Sequence, residues 1–198
     1  MTIASPQVTI LGSRVSAHGA ALTGWADEGV AAETFPIVRR GVLTDFATSR
    51  AEAPFLTEWY TQHQRPVRSH GCAVANTAAD LPVVSPPDLV VQDANAPSSG
   101  TSSSTSAVHG RGFQALVAEA KSGVAVLRGN CTMDRQQRSG LISGDLYEIA
   151  NGQLGRYLGA TAVLDVRSLP FLQNIAAMGD ATSAEWRGFT STKGQPEQ

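Results

Sequence analysis

The chain has 198 residues, 42% of them hydrophobic, which is enough to bury one sizeable core and reads as a single domain over residues 1–198. Fifteen basic against seventeen acidic residues give a net charge of -2, which attracts neither nucleic acid nor an anionic membrane, and no apolar run approaches the roughly 20 residues of a membrane helix. Two cysteines, Cys72 and Cys131, exclude a disulfide framework; Met1 to Gln7 lacks the basic start and apolar stretch of a secretory signal, so the cytoplasm is the expected location.

In chain order, Val8-Thr9-Ile10-Leu11 is a β-branched run stopped by Gly12 and predicts a strand. Residues 35–39 and 42–46 flank Arg40-Gly41 and predict a hairpin, with Pro36 suggesting an edge strand. From Ser49 to His63 the period changes: Ala53, Leu56, Trp59 and Tyr60 fall on one helical face, and Ser49 with Glu52 has capping-box spacing, although Pro54 shortens the first turn. Asp80 to Pro87 holds three prolines and predicts an extended loop, followed by a strand over Asp88 to Gln92. Residues 95–106 are almost all Ser, Thr, Gly, Ala and Pro and predict a mobile loop with nothing to bury.

Phe113, Leu116, Val117 and Ala120 make an i, i+3, i+4, i+7 stripe closed by Gly123, predicting a helix and then a strand over Val124 to Leu127. Leu146 to Ile149 and Leu154 to Val166, joined through Asn151-Gly152, predict a type I′ hairpin. Leu169 to Met178 carries Leu172, Ile175 and Ala176 on one face and predicts a short helix stopped by Gly179. Several hairpins, about three short helices and no βαβ alternation point to an α+β fold with a mainly antiparallel sheet or sandwich.

Candidate chemistry is thin. His70 and Cys72, two residues apart, would put two metal ligands on one side of a strand, with Cys131 or another histidine completing a site; either cysteine beside a histidine would also serve as a nucleophile. His18, His63, His70 and His109 are scattered, and no second ligand pair has diagnostic spacing. No Gly-x-Ser-x-Gly elbow and no Gly-x-x-x-x-Gly-Lys phosphate loop occurs. Asp27 and Glu28 are adjacent, so on a strand they point to opposite faces, and a turn or surface role fits them better than acid/base work. Trp25, Trp59 and Trp186 read as core or interface anchors. On this reading the catalytic, cofactor and metal residues of the chain are none.

An ordered series of glycine-anchored segments goes further than any single motif. Ala26-Asp27-Glu28-Gly29-Val30, Arg40-Gly41-Val42-Leu43, Arg50, Ser69-His70-Gly71, Leu81-Pro82, the 113–122 helix with Gly123-Val124, Gly129, Asp134, Ser139-Gly140 and Tyr147 to Gly152 follow one another. In order and spacing the series resembles the C-terminal domain of the TldD/PmbA family of bacterial metallopeptidases, over roughly residues 8 to 196. The resemblance implies peptidase chemistry on zinc held by a His-Glu-x-x-x-His helix that precedes this region, and a late cysteine that completes the site in the catalytic type. Neither is in this sequence: residues 186–194 hold no cysteine, and Ala73-Val74-Ala75-Asn76 replaces the polar Arg-Arg-Glu-Ser stretch of the catalytic type.

These departures place the chain nearer the non-catalytic TldE/PmbA-type partner, with the family's N-terminal domain absent and Met1 opening the dimerising half. The implied assembly is a heterodimer with a TldD-like catalytic subunit that carries His-Glu-x-x-x-His and the zinc, or a homodimer, acting on a peptide or peptide-like substrate with no nucleic acid and no membrane. Activity is expected only in that complex. Thirteen arginines against two lysines fit a high-GC genome, where the family's role in antibiotic maturation is common. The alternatives are the C-terminal part of a catalytic member whose zinc helix lies outside this chain, and a free-standing domain that binds peptide along a sheet edge.

Overall fold

A computed structural model of the chain describes residues 1–94, 112–134, 136–179 and 185. The Ser-rich segment 95–106, His109 and Trp186 lie outside the described residues. The fold is α+β and mainly antiparallel, as expected, and it divides into two compact units. The first comprises Met1–Gly12, Phe35–Phe46 and the described part of Leu89–Ala184; the second comprises Ser13–Thr34, Ala47–Asp88 and Glu185. No helix among the described residues is long and apolar enough to cross a membrane.

β1 (Val8–Ser13), β2 (Thr34–Arg39), β3 (Val42–Leu43) and β6 (Asp88–Asp93), which belong to the first unit except for their end residues Ser13, Thr34 and Asp88, form a sheet in the order β3-β2-β1-β6. Arg40 and Gly41, at φ 48° and 77°, make the two-residue turn that the primed hairpin geometry requires. Gly41 also has no room for a side chain, because a Cβ there would lie 2.2 Å from the Ala4 carbonyl oxygen. Pro36 does not mark an edge: β2 is flanked by β1 and β3. The Pro36 carbonyl accepts the Thr44 hydroxyl at 2.9 Å. Ala4, Val8 and Val38 form a buried cluster, onto which Ile3, Ile10, Ile37, Leu172, Ile175 and Met178 pack.

The second sheet of this unit is built on β8 (Ser139–Ala150), which pairs along one edge with β7 (Gly123–Met133). β9 (Gln153–Gly159) and β10 (Val163–Arg167) succeed one another along the rest of β8. The expected hairpin is therefore present, turning at Asn151 and Gly152 with φ 51° and 74°, but its return strand is interrupted at 160–162. β7 is also longer than Val124 to Leu127, because it continues through a bulge between Leu127 and Asn130. Helix α2 (Phe113–Ala120) lays Val117 on Ala125 and Ile149. Lys121, at φ 59°, terminates the helix, and Gly123 opens β7 instead.

Helix α3 (Ser168–Gln173) ends earlier than the stripe predicts, at Asn174. Its termination comes before Gly179, yet Leu172 and Ile175 still reach the first cluster, because a short helix followed by an extended chain keeps both on the core side.

In the second unit a 3-10 turn over Ala53–Leu56 leads into α1 (Thr57–Gln62). Pro54 sits in its first turn, and the Ser49 hydroxyl accepts the Glu52 N–H at 3.1 Å, which is half of the predicted capping box. Ala53 and Tyr60 are buried, as the periodicity requires. The Asp80–Pro87 segment is extended but not wholly loop: β5 (Val83–Val84) pairs with β4 (Ala73–Val74), a ladder short enough to avoid the flanking prolines.

Candidate functional site

The chemistry-bearing residues of the second unit gather where three loops meet. Ala26 to Val30 is a tight turn: the Ala26 N–H donates to the Val30 carbonyl at 2.8 Å, and Gly29 N–H donates to Ala26 at 2.9 Å. A turn sends the two adjacent acids to different partners. Asp27 Oδ2 accepts the Ala75 N–H at 2.7 Å. Glu28 Oε2 accepts the Arg50 N–H at 2.5 Å, and its Oε1 accepts the Ser69 hydroxyl. Both acids thus tie the 48–50 and 69–75 segments to the turn.

Behind this turn the interior is polar. Thr48, Ser49, His70 and Cys72 are all buried. The Thr48 hydroxyl donates to the Arg68 carbonyl at 3.0 Å, and the Thr48 carbonyl accepts from the Ser69 hydroxyl at 3.1 Å and from the N–H of His70 and Cys72. His70 Nδ1 donates to Glu33 Oε1 at 2.5 Å, and the same oxygen accepts Arg68 Nη2 at 3.0 Å. The carboxylate, having no proton, fixes Nδ1 as the donor.

The Cys72 thiol is pushed up to about 11, chiefly by burial, against the opposing pull of the Arg14 charge and a hydrogen bond from the Thr48 backbone. It is therefore a protonated thiol at neutral pH, neither a ready nucleophile nor a ready metal ligand. Cys131 is exposed on β7 in the other unit, paired in register with Ile142 and with Sγ 3.5 Å from Met133 Sδ. His63 is exposed and stacks on Trp59 at 4.1 Å, while His18 sits in the exposed loop after β1. Trp59 packs edge-on to Tyr60, and Trp25 is 66% exposed. Among the described residues no group of three or more His, Cys, Asp or Glu is placed to hold a metal ion.

The residue with the least ordinary environment carries no motif in the sequence. Arg14, directly after β1, is 5% exposed, and its Nε and Nη1 find no hydrogen-bond partner. An arginine after a strand reads as a solvated end, so nothing in the sequence signals its burial. Glu33 and Thr48, which organise the same interior, carry no motif either.

The family described as the PmbA/TldA metallopeptidase C-terminal domain matches residues 1–196. No protein of curated function matches by sequence. A candidate modulator of a DNA gyrase from Thermotoga maritima superposes with a TM-score of 0.64 at 16% identity, covering 91% of this chain and 36% of that one. TldE from Thermococcus kodakarensis gives 0.56 at 16%, covering 87% and 34%. A second candidate gyrase modulator, from Bacteroides thetaiotaomicron, gives 0.58 at 15%, covering 90% and 33%. At these identities the likeness is one of fold, and the chain spans about a third of each solved relative.

Proposed function

The chain belongs to this metallopeptidase family through its C-terminal domain, and from that premise we propose that it is a non-catalytic, TldE/PmbA-like subunit of a two-subunit zinc metallopeptidase acting on peptides or peptide-derived metabolites. The observation that carries this reading is the contrast between the match over residues 1–196 and the donor set within it. The sequence has no His-Glu-x-x-x-His and no cysteine after Cys131. His70 is committed to Glu33, the Cys72 thiol is held protonated, and Cys131 lies in the other unit. These residues do not fit zinc, so the metal and the water it activates belong to the partner subunit, and no hydrolytic step is assigned to a residue of this chain. The heterodimer, a cytoplasmic location and a place in antibiotic maturation are parts of the same proposal.

Reconstitution tests it. Mixed with a family subunit that carries His-Glu-x-x-x-His, the chain should yield cleavage of an unfolded peptide that neither protein achieves alone. Cleavage by this chain alone, abolished by a zinc chelator, would overturn the reading. The coverage of only about a third of each solved relative favours one second reading, a C-terminal part of a catalytic protein; a zinc helix encoded upstream in the same frame would establish it.

A further inference from the structure

Among the described residues of the second unit, Arg14 is the buried arginine. Only 5% of the Arg14 surface is exposed, and its buried Nε and Nη1 have no hydrogen-bond partner among the described residues. Its position is fixed from the backbone: its N–H donates to the Glu33 carbonyl at 3.2 Å and its carbonyl accepts the Thr23 N–H at 2.9 Å. The backbone bond to Glu33 sets Arg14 beside the residue that holds His70, and its charge pulls on the buried Cys72 thiol. Two carboxylates lie around the polar interior, and both are engaged elsewhere. Glu28 gives its oxygens to Arg50 N–H and to Ser69, and Glu33 gives Oε1 to Arg68 and His70.

A buried cation without a counter-charge costs several kcal/mol, far more than the usual exposed arginine. A buried polar group left unpaired calls for an explanation, and a ligand from outside the chain is one. We propose that Arg14 anchors a binding site for one carboxylate group, supplied by the free C-terminus or an acidic side chain of a peptide. The neighbouring carboxylates favour a carboxylate over a phosphate, since a monoanion meets less repulsion from Glu28 and Glu33 than a dianion would. The carboxylate follows from this chain alone; its peptide carrier rests on the peptidase-family reading.

The test uses the 198-residue chain without a partner. Trialanine with a free C-terminus should raise the Tm of the native chain with concentration, and so should an N-acetylated, C-amidated peptide that contains Glu. Trialanine amide and matched sodium chloride should not. Arg14→Met should bind at least about tenfold more weakly, a difference of about 1.4 kcal/mol, and should be no less stable than the native chain in the absence of ligand, because it removes the unpaired charge. Arg14→Lys, which keeps the charge and loses the planar fork, should fold and bind weakly.

Acetate binding without either peptide would keep the site and separate it from the peptide-processing reading. A Tm shift that chloride reproduces, a shift that persists in Arg14→Met, or no shift with any carboxylate would overturn the proposal. So would an Arg14→Met chain that is destabilised or fails to fold, since the guanidinium would then be satisfied structurally, as by buried water.

Discussion

The two units solve the problem of an interior in different ways. In the first, the buried clusters are apolar, Ala4 with Val8 and Val38, and Val117 with Ala125 and Ile149, regular strands satisfy the backbone, and the buried polar residues among those described are Ser5, Thr9 and Asp45. In the second, Ser13, Arg14, Thr48, Ser49 and His70 are buried, and irregular loops are held by side chains bonded to backbone groups. An apolar interior tolerates many sequences of the right volume and pattern, whereas a polar one depends on each partner being present. The first unit is therefore a scaffold set by turn and packing geometry, and the second is the place where single polar groups matter.

Substitutions that break or sharpen this contrast differ in size. Gly41→Val should cost most, about 3 kcal/mol or more, because it combines a positive φ with a side chain driven into the Ala4 carbonyl. Urea unfolding of the purified variant measures it, and an unchanged midpoint would refute the turn assignment. Gly152→Val should follow at about 2 kcal/mol, since φ is 74° and the Ala118 backbone lies 3.0 Å from its Cβ position. Glu28→Ala should cost about 1–2 kcal/mol by releasing the Arg50 N–H and the Ser69 hydroxyl. Hydrogen exchange should then speed up at residues 48–50 and 69–75 while β7 to β9 keep their protection. Equal loosening of both would merge what the contrast separates.

The smallest effects concern the cysteines. Cys131→Ala should leave stability within about 0.5 kcal/mol, as an exposed side chain away from any packed feature. It should also leave the activity of the reconstituted complex within tenfold, or about 1.4 kcal/mol of barrier. Cys72 responds to pH instead. Its folded value of about 11 exceeds that of an unfolded thiol, so the protonated form that favours folding is fully present below the unfolded value, and the associated stability falls as pH rises from there towards 11. Iodoacetamide at pH 8 should label Cys131 while sparing Cys72 in the folded chain; comparable rates would contradict the buried, protonated thiol.

Much of the scaffold was legible in the sequence because turn chemistry and periodicity are local. Arg40-Gly41 and Asn151-Gly152 each became a two-residue hairpin, and the stripe from Phe113 became α2, which ends at Ala120 rather than Ser122. Errors arose where tertiary context set the limits. The helix at Ser168 ended at Asn174 although its apolar residues continued inward, Pro36 occupied an inner strand, and β7 ran on through a bulge. The second unit was nearly opaque. Asp27 and Glu28 could be assigned to a turn, but which backbone groups they hold depends on loops distant in sequence, and Arg14 gave no sign that its charge would be buried. Polar interiors are written in pairs of residues, and a single sequence without regular period does not reveal the pairing.

The subunit reading is tested most directly by native mass spectrometry with metal analysis of this chain, alone and co-expressed with a family protein that carries His-Glu-x-x-x-His. The account predicts a zinc-free chain that joins the partner one to one, with zinc in the complex traced to the partner. Zinc retained by this chain alone would contradict it and return His70, Cys72 and Cys131 to consideration as ligands.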